Sequence, residues 1–223
     1  MRNPWLRLPR KVPFVLPQDA AAIEAFNQTA TETTRYCLDL IPEPFLGSPS
    51  APIVLLSLNP GLTNAGPEIH SATEFARLAR ANLMHEPSDY PFYLLNPDVP
   101  ETSPGRTWWE HKLARLIAAT SRRVVANHLL CVEYVGYHSK QFKQYRQPHL
   151  PSQQYGFWLV RQAISRGAVI VQMRSHAVWL RAVPELVEYT RRFVIRNVQK
   201  PVISPGNCPD GYDEIVALLL SNP

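Results

Sequence analysis

Four short, mostly apolar runs punctuate the chain: Ile53 to Leu58, His128 to Tyr134, Ala168 to Met173 and Pro201 to Ser204. Runs of this length, bounded by turn-forming residues, predict strands buried on both faces. Around them apolar positions recur at helical spacing. Asp19 to Leu40 includes "DAAAIEAF", and Trp108 to Thr120 carries Trp109, Leu113, Leu116 and Ile117 at that spacing. Tyr155 to Arg166, Ser175 to Arg192 and Asp210 to Ser221 read the same way, and Ser71 to Leu83 opens with Ser-x-x-Glu, the signature of a capping box. Strands alternating with helices predict an α/β fold: an open, mostly parallel four-stranded sheet flanked by helices, in one domain over residues 1–223.

In such sheets ligands bind in the crevice beyond the carboxyl ends of the strands. The first run ends in "LNPGLTNAG", which delivers Asn59 to one of those ends. Asn59 reads two ways: Asn, Pro and Gly are what turns are made of, or the asparagine is held there for chemistry. Twenty-two prolines against nine glycines make the connections stiff and irregular. The stretch "HEPSDYPFYLLNPDVPETSPGRT" is too long for a plain connector and is a candidate binding surface.

Composition narrows the picture modestly. The most apolar run, Val124 to Val135, is broken by Asn127, His128 and Glu133, so no membrane span is expected. The N-terminal "MRNPWLRLPRKVPF" is basic without an apolar signal core, which favours the cytoplasm. Cys37, Cys131 and Cys208 are too few and too scattered for a disulfide framework or a Cys-x-x-Cys site. A net charge of +5 favours a polyanionic partner.

Familiar cofactor motifs are missing from the sequence. Gly61 and Gly66 have the glycine spacing of a phosphate loop, but Pro67 and Glu68 stand where Lys and Ser or Thr are needed. There is no Gly-x-Gly-x-x-Gly, no Gly-x-Ser-x-Gly and no recognisable metal-ligand spacing. The expected chemistry therefore uses neither metal nor cofactor.

"LNPGLTNAG" resembles the first active-site motif of the uracil-DNA glycosylase superfamily, in the Asn-Pro-Gly form of its mismatch-specific uracil and thymine glycosylases. "PVISPGNCPDGYDEIVALL" resembles the second motif, where a last strand turns into the final helix, and "LLCVEYVGYHSKQF" the middle strand that faces the target base. Together they cover most of the chain from Ile53 to Leu220. The usual His-Pro-Ser or Asn-Pro-Ser of the second motif is here Ile203-Ser204-Pro205-Gly206-Asn207. The resemblance implies a uracil-DNA glycosylase-like fold, a monomer acting on DNA, and a monofunctional glycosylase that leaves abasic sites.

Hydrolysis of an N-glycosidic bond passes through a sugar with oxocarbenium character. The protein must hold a flipped nucleotide, place a water and stabilise the departing base. Asn59 and His176 are the candidate catalytic residues, the Asn59 carbonyl orienting water because a neutral amide takes up no proton. Gly61, Phe75, Glu133, Tyr134, His138, Ser204 and Asn207 are candidates for substrate binding. Each has a plain alternative: Phe75 as core, Ser204 and Asn207 as an ordinary turn, the two histidines as surface residues. Arg174 at a strand end, with Lys140 and Lys143, is a candidate for DNA contact. Arg122, Arg123, Lys140, Lys143 and Arg146, interleaved with Tyr137, Phe142 and Tyr145, suit a nucleic-acid groove or a solvated face.

The choice of base turns on the middle strand. Resembling family members that select uracil present an amide there, yet no Asn or Gln follows His128 until Gln141. Glu133 stands near the strand end instead, either turned away into a salt bridge or facing the base. An ionised carboxylate only accepts hydrogen bonds, which suits the exocyclic amine of cytosine. The expected substrate is therefore a hydroxymethylated or glucosylated cytosine of phage DNA, with antiphage defence as the role. The alternatives are repair of uracil or mismatched thymine, an idle nucleic-acid-binding module, and an unrelated enzyme for a small nucleotide.

Overall fold

The apolar runs build a sheet of five strands rather than four. The computed structural model describes residues 1–63, 66–144 and 149–221. Its strands are β1 (Phe45–Gly47), β2 (Ile53–Leu56), β3 (Leu129–Val132), β4 (Val169–Gln172) and β5 (Arg192–Val194), in the order β1-β3-β2-β4-β5. β3, β2, β4 and β5 run parallel, and β1 is antiparallel to β3, so the sheet is mixed. Every residue of β2, β3 and β4 is buried, as their near-continuous apolar sequences require.

Three of the four expected strands are these central ones. The fourth, Pro201 to Ser204, forms no strand. Pro201 has no N–H to give, and the Ile203 N–H donates to the Lys112 carbonyl at 3.0 Å, so the run lies extended on a helix. β5 begins at the last residue of the segment expected to be one helix, Ser175 to Arg192. That helix is short because Val183-Pro184 cannot continue it. β1 was hidden in a proline-rich stretch.

The helices are α1 (Ala20–Thr29), α2 (Gly66–Ser71), α3 (Thr73–Leu83), α4 (Pro104–Ala119), α5 (Arg122–His128), α6 (Gln153–Ser165), α7 (His176–Ala182) and α8 (Tyr212–Ser221). The expected capping box at Ser71 is absent: α3 is preceded by Ala72, Ser71 Oγ donates back to the Glu68 carbonyl, and Glu74 pairs with Arg77. Ser103 and Ser121 are the side-chain caps of α4 and α5. No helix of the described residues is long and apolar enough to cross a membrane.

Three devices position the strand ends. Trp179 of α7, fully buried, donates its indole N–H to the Ser57 carbonyl at 2.8 Å, just past β2. The long proline-rich loop is held by buried Arg106, which donates to the Val99 carbonyl and pairs with Glu110. At the outer edge of β1, Asn82 accepts from the Gly47 N–H at 3.0 Å and donates to the Phe45 carbonyl at 2.8 Å.

Gly47 ends β1 at φ +107°, and a Cβ there would lie 2.0 Å from the Leu129 carbonyl oxygen. Neither the backbone angle nor the neighbouring strand can give. Gly47→Ala should lower stability by about 3 kcal/mol, read as a reduced urea midpoint at unchanged m-value.

Candidate active site

The parallel register of β2 and β3 pairs Leu56 with Val132, so the next residues, Ser57 and Glu133, leave the sheet side by side. The chain then continues to Asn59 from one strand and to His138 and Ser139 from the other. A cavity of about 410 Å³ opens at this end of the sheet, within the size range of small-molecule sites. Asn59, Gly61, Phe75, Glu133, His138, Lys140 and Arg174 all line it.

Asn59 is held by its amide nitrogen. Nδ2 lies 3.0 Å from Ser139 Oγ, 3.2 Å from the Ser139 carbonyl and 3.0 Å from the Pro60 carbonyl. The reversed amide would set Oδ1 against two carbonyl oxygens, so the network fixes which end is which. Oδ1 is left as an acceptor with no hydrogen bond to a described residue. Ser139 is itself set by donating to the Gln141 carbonyl at 3.0 Å.

His138 shapes the wall. Its Nδ1 is 2.9 Å from the Gly61 carbonyl and its Nε2 is 3.0 Å from the Ile41 carbonyl, which leaves neither nitrogen for a ligand. His70 meets it edge-on at 4.9 Å and also packs on Phe75. Burial, then the neighbouring His138, pushes His70 down to about 2, so His70 is neutral throughout the physiological range. Phe75 is both core and cavity wall, buried against Tyr93.

Glu133 sits 7% exposed and lines the cavity. Burial raises its carboxyl to about 8 and neighbouring Glu43 adds to that; Ser57, Arg174 and Cys131 pull the other way. At neutral pH it is a carboxylic acid, not the ionised acceptor expected from sequence. The Cys131 thiol donates to Oε1 at 3.8 Å, while Oε2 has no partner among the described residues. Glu43 is held by the Tyr93 hydroxyl, which donates to it.

The remaining sequence candidates lie elsewhere. Tyr134 is buried, its hydroxyl 2.7 Å from His149 Nε2. Asn207 spends its side chain on the loop, donating to the Lys200 and Val202 carbonyls and accepting from the Asn197 N–H. Ser204 and His176 do not line the cavity; burial, then Arg192, lowers His176. Lys140 lines the cavity and pairs with exposed Glu32 at 2.8 Å, and Lys143 lies over the Phe26 ring. Arg122 and Arg123 pair with Glu110 and Asp89. Tyr145 and Arg146 are outside the described residues. Among the described residues no group of three His, Cys, Asp or Glu side chains could hold a metal ion.

No family model, curated protein or solved structure matches the chain. The site thus stands on its own geometry. Ser57, Glu43, His70, Trp108 and Ser139 line it without having been singled out from sequence. Ser57 alone gave a signal, as the one polar residue inside the first apolar run.

Because the folded protein favours the protonated form of Glu133, the stability this gives is complete at low pH. It declines above the ordinary value of 4.5 and is gone above about 8. Glu133→Gln should therefore match the wild type in melting temperature near pH 4 and exceed it by several degrees at pH 8.5, measured by calorimetry.

Proposed function

We propose that the chain is a monofunctional DNA glycosylase of the uracil-DNA glycosylase type, hydrolysing the N-glycosidic bond of a flipped pyrimidine nucleotide. The observation that carries this reading is the Asn59 amide, tied down by nitrogen, which leaves its oxygen an acceptor without a partner among the described residues, on a residue that lines a cavity at a strand's carboxyl end. In the proposed reaction Oδ1 accepts from a water and aims its oxygen at C1′. The C–N bond breaks with its electron pair on the base, water adds to the sugar, and the proton lost by water ends on the base.

Glu133 supports the leaving-group side. It lines the cavity, and as an acid its carboxyl carries one O–H donor and one acceptor oxygen, the pair of groups that the N3 and N4 edge of cytosine requires. The preferred substrate is a hydroxymethylated or glucosylated cytosine, because the middle strand carries no Asn or Gln to read uracil. The same pair also fits N3–H and O4 of uracil, so uracil or mismatched thymine is the alternative substrate. A second reading, a catalytically idle nucleic-acid-binding module, is favoured by Asn207 and Ser204, because neither reaches the cavity from the second motif.

DNAs bearing uracil, mismatched thymine, hydroxymethylcytosine or glucosylated cytosine, cleaved with alkali after incubation, provide the test. Abasic sites are expected chiefly from the modified cytosines. Asn59→Ala should slow their release roughly 100-fold at nearly unchanged DNA affinity. Intact strands from every substrate would leave the idle module.

The pH profile gives a separate check. As pH rises through about 8, Glu133 ionises and its O–H donor is lost. Wild-type activity should fall above that value, whereas Glu133→Gln, whose amide keeps a donor, should show no such fall. Parallel profiles for the two proteins would remove Glu133 from the reaction.

A further inference from the structure

Several arginines of this protein pair with a carboxylate: Arg77 with Glu74, Arg161 with Glu185 and Arg191 with Glu214. Three cations beside the cavity do not. Arg174, two residues past β4, lines the cavity, and its Nε is buried without a partner. Lys112 of α4 is 8% exposed, has no ion pair with a described residue, and holds Nζ 5.1 Å from the ring centre of Trp108, which also lines the cavity. The Lys112 carbonyl takes the Ile203 N–H, and this lays the segment carrying Lys200 against α4.

Burial lowers the proton affinity of Lys112, and the charges of Arg174 and Lys200 lower it further. A buried lysine and a half-buried arginine of like charge, without a salt bridge among the described residues, cost free energy in the empty protein. An anion seated among them would offset that cost. Arginine offers a planar fork suited to phosphate oxygens, and lysine adds a compact charge. The cation–π contact with Trp108 keeps Lys112 at the cavity rim rather than extended into water.

We propose that Arg174, Lys112 and Lys200 form a phosphate-binding site at the rim of the cavity, taking the phosphate joined to the nucleotide whose base enters it. The site stands on the cation cluster alone; its assignment to a DNA strand rests on the glycosylase reading. The phosphate contact would fix where the sugar lies relative to Asn59, which the base contacts alone do not.

The test is fluorescence anisotropy with labelled single-stranded oligonucleotides across a range of salt, using Lys112→Gln, Arg174→Gln and Lys200→Gln. Lys200 is exposed, so its replacement carries little folding cost; melting curves verify the other two. Each variant should bind about tenfold more weakly, as expected for loss of a hydrogen bond to a charged group. Each should also lower the salt slope by about 0.7. A strand with one uncharged methylphosphonate beside the target should bring the wild type to the level of the variants and cost the variants nothing more. Affinities and slopes equal to wild type in all three variants would overturn the site. Inorganic phosphate that competes only with Lys112-dependent Trp108 fluorescence, at unchanged DNA affinity, would overturn the strand assignment. Variant-dependent binding without any abasic product would refute the glycosylase reading and support the phosphate site.

Discussion

The site depends on the parallel pairing of β2 with β3. Their register brings Leu56 beside Val132, and the pairing continues past the strands as the Ser57 N–H reaches the Val132 carbonyl and the Val135 N–H reaches the Leu58 carbonyl. That continuation is what carries Ser139 to the Asn59 amide. Because side chains alternate along a strand, a slip of one residue would turn Glu133 to the other face and set Asn59 against the wrong neighbour. Trp179 locks the same spot from α7 through the Ser57 carbonyl. Asn59 is thus held from two directions by hydrogen bonds that begin in the core.

What could be read in the sequence was whatever depends on a single segment. The three central strands announce themselves by unbroken burial, and Asn59 by its place after one of them. β1 and β5 do not, being three residues each, one in a proline-rich stretch and one at the end of a segment with apparent helical spacing. Glu133 was legible as a residue but not as an acid, because its protonation is favoured first by burial and then by Glu43, both of which depend on other parts of the chain. Asn207 illustrates the opposite failure. A Ser-Pro-Gly-Asn turn is compatible with catalysis or with self-bonding, and only the carbonyls of Lys200 and Val202, folded back upon it, decide for the second.

The cavity floor gathers groups that a core built only for stability would replace. Glu133 and Glu43 are buried near one another, Cys131 lies against the first and Tyr93 against the second. Each carboxyl resists burial as an ion. The fold accommodates them by supplying one with a phenol donor and leaving the other a proton. Strain of this kind concentrates where function needs it, and the surrounding strands are correspondingly featureless and apolar.

Asn82 has an effect beyond closing a helix against β1. One amide side chain matches both the carbonyl of Phe45 and the N–H of Gly47, the two groups that a sixth strand would seek. An open edge beside so apolar a sheet is a template on which a foreign strand could grow. With those two groups already satisfied within the molecule, an incoming chain would have to displace the amide before it gained a single ladder bond. The cavity end of the sheet thereby stays open while two edge groups on this flank are already satisfied.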